Sequence, residues 1–128
     1  MQSSFASAEI LVIANKAHNN VLLKQFEIQE IFLGKKKKIG NWKIDLIDQS
    51  TAKEIYQRFY KSLLNKNAAE IQAYWAELVF SGWAKAPQVV EDDQAVINYV
   101  SNNPNSLGYV SEKTELSKVS ILYRLSEH

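Results

Sequence analysis

Cysteine is absent, which excludes disulfides, thiolate metal sites and cysteine nucleophiles together. Histidine is nearly so: His18 and His128 lie far apart without ligand spacing, so no metal centre is supported. No apolar run reaches the roughly 18 residues that a membrane-spanning helix requires. An excess of one charge is missing too. Lysine and arginine number 15 against 14 for aspartate and glutamate, a formal net charge of +1, and this balance argues against nucleic acid as a partner. No internal repeat, low-complexity tract or linker interrupts the chain.

What remains is a chain of 128 residues, 46% apolar, sufficient for one domain with a real core. Ile10-Leu11-Val12-Ile13-Ala14 is a short β-branched apolar run, the pattern of a strand buried on both faces. Leu22, Phe26, Ile28, Ile31 and Phe32 fall at helical spacings over 22–33, and Gly34 stands where a left-handed cap belongs. Residues 43–48 alternate as a strand. A helix to about Leu64 buries Ile55, Phe59 and Leu63, and another over 68–80 carries a stripe of Ile71, Tyr74, Trp75, Leu78 and Val79, closed by Gly82. Val89-Val90 is extended. Asp92-Asp93 open a third amphipathic helix that stops before Pro104. Strands at 107–110 and 119–123 follow. Alternating strands and helices imply an α/β layer with its sheet in the middle. Trp42, Trp75 and Trp83 are expected to pack in the core or at its edge.

Before the first strand, Phe5-Ala6-Ser7-Ala8-Glu9 spaces small residues as a leader-peptidase site does. Residues 1–8 are therefore either a signal-peptide remnant or a flexible N-terminus, with 9–128 forming the single domain. The run Gly34-Lys35-Lys36-Lys37-Lys38-Ile39-Gly40 fails as a phosphate-binding P-loop. Its glycines are separated by one residue too many, and Asn41-Trp42 follow where lysine and a hydroxyl are needed. The near-neutral chain makes it a solvated helix-to-strand connection rather than a nucleic-acid patch.

Ser50-Thr51 follows a strand and opens a helix. Hydroxyls and free backbone N–H groups then converge where the helix dipole favours an anion, although the same residues serve as an ordinary N-cap closing on Lys53 or Glu54. Asp92-Asp93 are adjacent, face different ways on a helix and are accounted for by helix initiation. No nucleophile, base and orienting group stand together, which argues against an enzyme.

Three blocks in order, "IFLGK" followed by a tryptophan, "YWAELVFSG" and "NPNSLGYV", resemble the C-terminal lobe of the phosphate-binding proteins that serve ABC transporters. The resemblance runs from about Ile10 to Leu125. It implies one three-layer lobe of the type II periplasmic-binding-protein fold, a mixed central sheet flanked by helices, and a secreted, periplasmic, non-enzymatic role without a cofactor. The lysine run falls on the family's variable connection.

The family's second-lobe motif, arginine followed by Asp-Gly-Ser-Gly-Thr, aligns with Leu46-Ile47-Asp48-Gln49-Ser50-Thr51-Ala52. Asp48 and Ser50 persist. Leu46 replaces the arginine, whose planar bidentate charge leucine cannot imitate. Gln49 and Thr51 replace glycines, and Ala52 replaces the threonine. The resemblance thus places phosphate or another small oxyanion at Asp48, Gln49, Ser50 and Thr51, with Lys53 adding attraction. An ABC transporter permease and a second copy of the chain are the implied partners. The alternative is an interaction or accessory protein that has lost phosphate and acts through self-association or a protein partner.

Overall fold

The run Ile10–Ala14 lies within strand β1 (Glu9–Asn15), all five of its side chains buried. Alternate residues of a strand face opposite sides, and both sides are covered. Ile10, Val12 and Ala14 join one apolar cluster, while Leu11 and Ile13 join a second. The structure, a computed structural model, describes residues 9–111 and 114–127. The expected leader remnant before Glu9 lies outside the described residues.

Among the described residues five strands form the sheet: β1, β4 (Asp45–Gln49), β5 (Gln88–Val90), β6 (Ser106–Ser111) and β7 (Val119–Ser126), in the order β5-β4-β6-β1-β7. β1 pairs antiparallel with β6 and β7, whereas β4 runs parallel to β5 and β6, so the sheet is mixed. A separate two-stranded ribbon, β2 (Lys38–Ile39) with β3 (Trp42–Lys43), follows the lysines. Each of its strands is too short to show a period-two pattern in the sequence.

Helices α1 (Gln25–Phe32), α2 (Glu54–Leu64) and α3 (Ala68–Phe80) bury Ile28, Phe32, Phe59, Leu63, Ile71 and Trp75 in the first cluster. Helix α4 (Asp93–Asn102) covers the other face with Val96, Ile97 and Val100. The result is the three-layer α/β lobe that the resemblance implies. Gly108 allows α4 its close approach, since a Cβ there would meet Val96 Cγ1 at 3.0 Å and Ile47 Cβ at 3.3 Å.

The start of α1 differs from expectation. Lys24 is extended and its N–H donates to the Glu27 carboxylate at 3.0 Å, so the helix begins at Gln25. Leu22, left ahead of it, is 88% exposed, and Phe26 is exposed as well. At the other end Gly34 has φ +72°, Gly34 N–H donates to Ile31 O and Lys35 N–H to Glu30 O, a Schellman stop. α3 clamps this stop, with Tyr74 OH donating to Leu33 O at 2.5 Å and Trp75 Nε1–H to Phe32 O at 3.2 Å.

Trp42 and Trp75 are buried as expected, but Trp83 is 65% exposed. It follows Gly82, whose φ of +75° ends α3 and turns the chain outward. Trp42 is fixed by its Nε1–H bond to Asn105 O at 2.8 Å and by stacking on His18, ring centroids 3.7 Å apart.

Candidate functional site

β4 carries Asp48 and Gln49 toward α2, and both side chains are buried. Asp48 Oδ2 accepts from Tyr60 OH at 2.6 Å, while Oδ1 accepts from Tyr109 OH at 2.5 Å and from Gln49 N–H at 2.8 Å. The two tyrosines come from α2 and β6, and Tyr109 stacks on Phe59 with centroids 3.8 Å apart. Asp48 therefore ties strand, helix and neighbouring strand beneath an aromatic cluster. Burial pushes its carboxyl pKa upward against the lowering effect of these three hydrogen bonds. Burial, then the Asp48 charge, pushes Tyr56 up to about 12 and holds Tyr60 and Tyr109 well above the usual tyrosine range.

Gln49 Nε2 donates to Asp93 Oδ1 at 2.8 Å and to Tyr109 O at 3.0 Å. Its Oε1 is buried without a hydrogen-bond partner among the described residues. Asp93 Oδ2 accepts from Ser111 Oγ at 2.7 Å and Thr114 Oγ1 at 3.2 Å. The Asp92-Asp93 pair thus divides its work. Asp92 caps α4 through Ala95 N–H at 2.9 Å, and Asp93 fastens the start of α4 to β4 and to the end of β6. Only the capping half is readable from the sequence, because the partners of Asp93 are remote along the chain.

Ser50, Thr51 and Lys53 form the turn between β4 and α2. Ser50 N–H donates to Val90 O at 3.1 Å, and its hydroxyl accepts from Ala52 N–H at 3.3 Å, not from Lys53 or Glu54. Lys53 N–H donates instead to Ser50 O at 3.0 Å. The helix consequently opens three residues later than Ser50-Thr51 suggests, with Lys53 at the N-cap position and no side-chain cap. Backbone N–H groups of Thr51, Glu54 and Ile55 have no protein partner among the described residues. They point an anion-favouring field outward, which the Glu54 carboxylate in the first turn opposes.

Of the five residues singled out in the sequence, three thus stand together at the start of α2 and two lie beneath them. Leu46 packs partly buried against the first apolar cluster. The four lysines of residues 35–38 lie elsewhere, near the other end of β4, a strand whose five residues span on the order of 13 Å at about 3.3 Å each.

A mixed sheet with α1 to α3 on one face and α4 on the other is the architecture of one lobe of a periplasmic solute-binding protein. The same fold is found in solved structures of phosphate-binding proteins. The chain superposes with TM-score 0.72 and 12% identity on an ABC-type phosphate transport receptor from Vibrio cholerae, over 94% of this chain and 47% of that one. It superposes with TM-score 0.71 and 19% identity on a phosphate-bound protein from Clostridium perfringens, assigned to the phosphate ABC transporter substrate-binding proteins, over 94% and 46%. PstS from Borrelia burgdorferi gives TM-score 0.71 and 20% identity over 94% and 48%. The chain spans about half the length of each, so the likeness is that of a single lobe. No family model and no curated protein matches the chain.

Proposed function

We propose that this chain is a non-enzymatic solute-binding module of ABC-type phosphate transport, working in the periplasm and delivering phosphate or a similar small oxyanion to a transporter permease. The observation that carries this reading is the uncapped start of α2. Three backbone N–H groups without protein partners, the Ser50 and Thr51 hydroxyls and the Lys53 ammonium share one turn of chain. Such a terminus is suited to tetrahedral oxyanions. Asp48 and Gln49 act beneath it by holding the β4 end in place.

Taken by itself, this lobe supplies one wall, with Leu46 where the family has its arginine, and a ligand left partly in water gains little from each hydrogen bond, so weak affinity is expected of the lobe alone. Calorimetric titration of phosphate, with sulfate as control, tests this. Saturable phosphate binding that disappears in Ser50→Ala is expected. Silence up to millimolar phosphate overturns the reading.

A second reading is favoured by the end of α3, where Phe80 is 91% exposed and Val79 and Trp83 are exposed beside it in sequence. Apolar surface of this kind suits a protein contact. The chain then acts as an interaction or accessory lobe, and a strictly monomeric protein with no partner in a periplasmic pull-down counts against it.

A further inference from the structure

At the N-terminal ends of the parallel strands β4, β5 and β6, away from the start of α2, lies a cavity of about 640 Å³. Its volume falls within the range of small-molecule sites. Lys36 and Lys37 enter its wall from the lysine loop, Lys43 from β3 and Lys85 from the α3–β5 connection. The charges are largely uncompensated. Among the described residues Asp45 is the one carboxylate in the wall, and its Oδ2 accepts from Tyr99 OH at 3.1 Å. Among the described residues the ion pairs are Arg58 with Glu127 and Arg124 with Glu9, neither involving these lysines.

Apolar groups line the same cavity, among them Ile31, Leu46, Trp75 and Pro87. The wall is also built to a shape. Gly34, at positive φ, lets the chain leave α1 against Trp75, where a Cβ would come within 2.9 Å of the indole Cη2. Lys37 Nζ then donates to Trp83 O at 2.5 Å and lies 5.5 Å from the Trp83 ring centroid, fastening the lysine loop to the α3–β5 connection.

From this combination of an ammonium cluster and an apolar lining we propose that the cavity is a second ligand site, for a phosphorylated organic anion bearing several negative charges and an apolar or aromatic body. Lysine ammoniums recognise phosphate as point charges, and burial of the body against the apolar lining supplies the rest. A concave wall fits such a small molecule better than an acidic polypeptide, and a chain of net charge +1 lacks the extended basic track of a nucleic-acid groove. This site is independent of the oxyanion reading for α2.

ATP is the probe, titrated calorimetrically into the whole chain with tripolyphosphate and an oligoglutamate peptide in parallel. The expected result is saturable ATP binding, weaker binding of tripolyphosphate, and for both a loss of roughly tenfold or more in Lys43→Ala/Lys85→Ala. Both lysines are exposed, so the variant should fold as the parent does. Ser50→Ala should leave ATP binding unchanged, with ligand-induced amide shifts centred on residues 31–46, 75, 84–88, 99 and 103–105. Absence of ATP binding, affinity unaffected by the lysine changes, tripolyphosphate binding as tightly as ATP, or preference for oligoglutamate would each overturn the proposal.

Discussion

Removing the charge of Asp48 isolates what its burial costs. In the folded chain its carboxyl holds a proton to higher pH than the ordinary value of 3.8, because desolvation outweighs the donors from Tyr60, Tyr109 and Gln49. Between 3.8 and the folded-state value the native chain therefore binds more protons than the unfolded one. Stability from this group is full below that window and is lost as pH rises through it. Asp48→Asn keeps the shape and has no proton to lose. Urea midpoints measured from pH 4 to 7.5 should show the wild type losing ground to the variant as pH rises. A difference that is flat, or that grows in favour of the wild type, would sink the argument. Asp48 reads as a ligand in the sequence because its neighbours match a ligand-binding motif. Nothing in one dimension says that Tyr60 and Tyr109, 12 and 61 residues away, converge on its two oxygens.

The helices differ in how legible their starts are, and the difference is one of capping. Asn67 accepts from Glu70 N–H at 2.9 Å while Glu70 accepts from Asn67 N–H at 3.0 Å, and α3 runs over the residues that its apolar spacing predicts. α2 misleads because Ser50 closes on Ala52 N–H in a local turn, leaving lysine at the N-cap. That choice makes a prediction in which stability and function move oppositely. Lys53→Asp supplies a side-chain acceptor to the first turn of α2 and should raise stability by about 0.5–1 kcal/mol. The same change replaces a cation by a carboxylate that repels an anion and can accept from Ile55 N–H, one of the groups proposed for the oxyanion. Thermal melts should therefore rise while phosphate affinity falls. If both rise together, the anion does not sit at this helix start.

At the scale of the molecule, the β-branched run of β1 announces a strand covered on both faces, but the order β5-β4-β6-β1-β7 depends on pairings between remote segments that no local pattern encodes. Even so, the three family-like blocks fall on α1, α3 and β6, and α3 clamps the end of α1 through Tyr74 and Trp75, so segments remote in the resemblance meet in the fold. Taken by itself, this lobe presents one wall, and this sets how solvent enters the site. Charges at an open wall are screened over a Debye length of about 10 Å at 0.1 M salt, whereas charges enclosed between two walls are screened far less. Phosphate binding at the start of α2 should accordingly weaken markedly when ionic strength rises from about 0.02 to about 0.2 M. The measurement is a calorimetric salt series with light scattering at each point. Affinity that stays level while the protein remains monomeric would contradict an open wall. Level affinity accompanied by phosphate-driven dimerisation would mean that a second copy closes the cleft, since a ligand favours whichever assembly binds it more tightly.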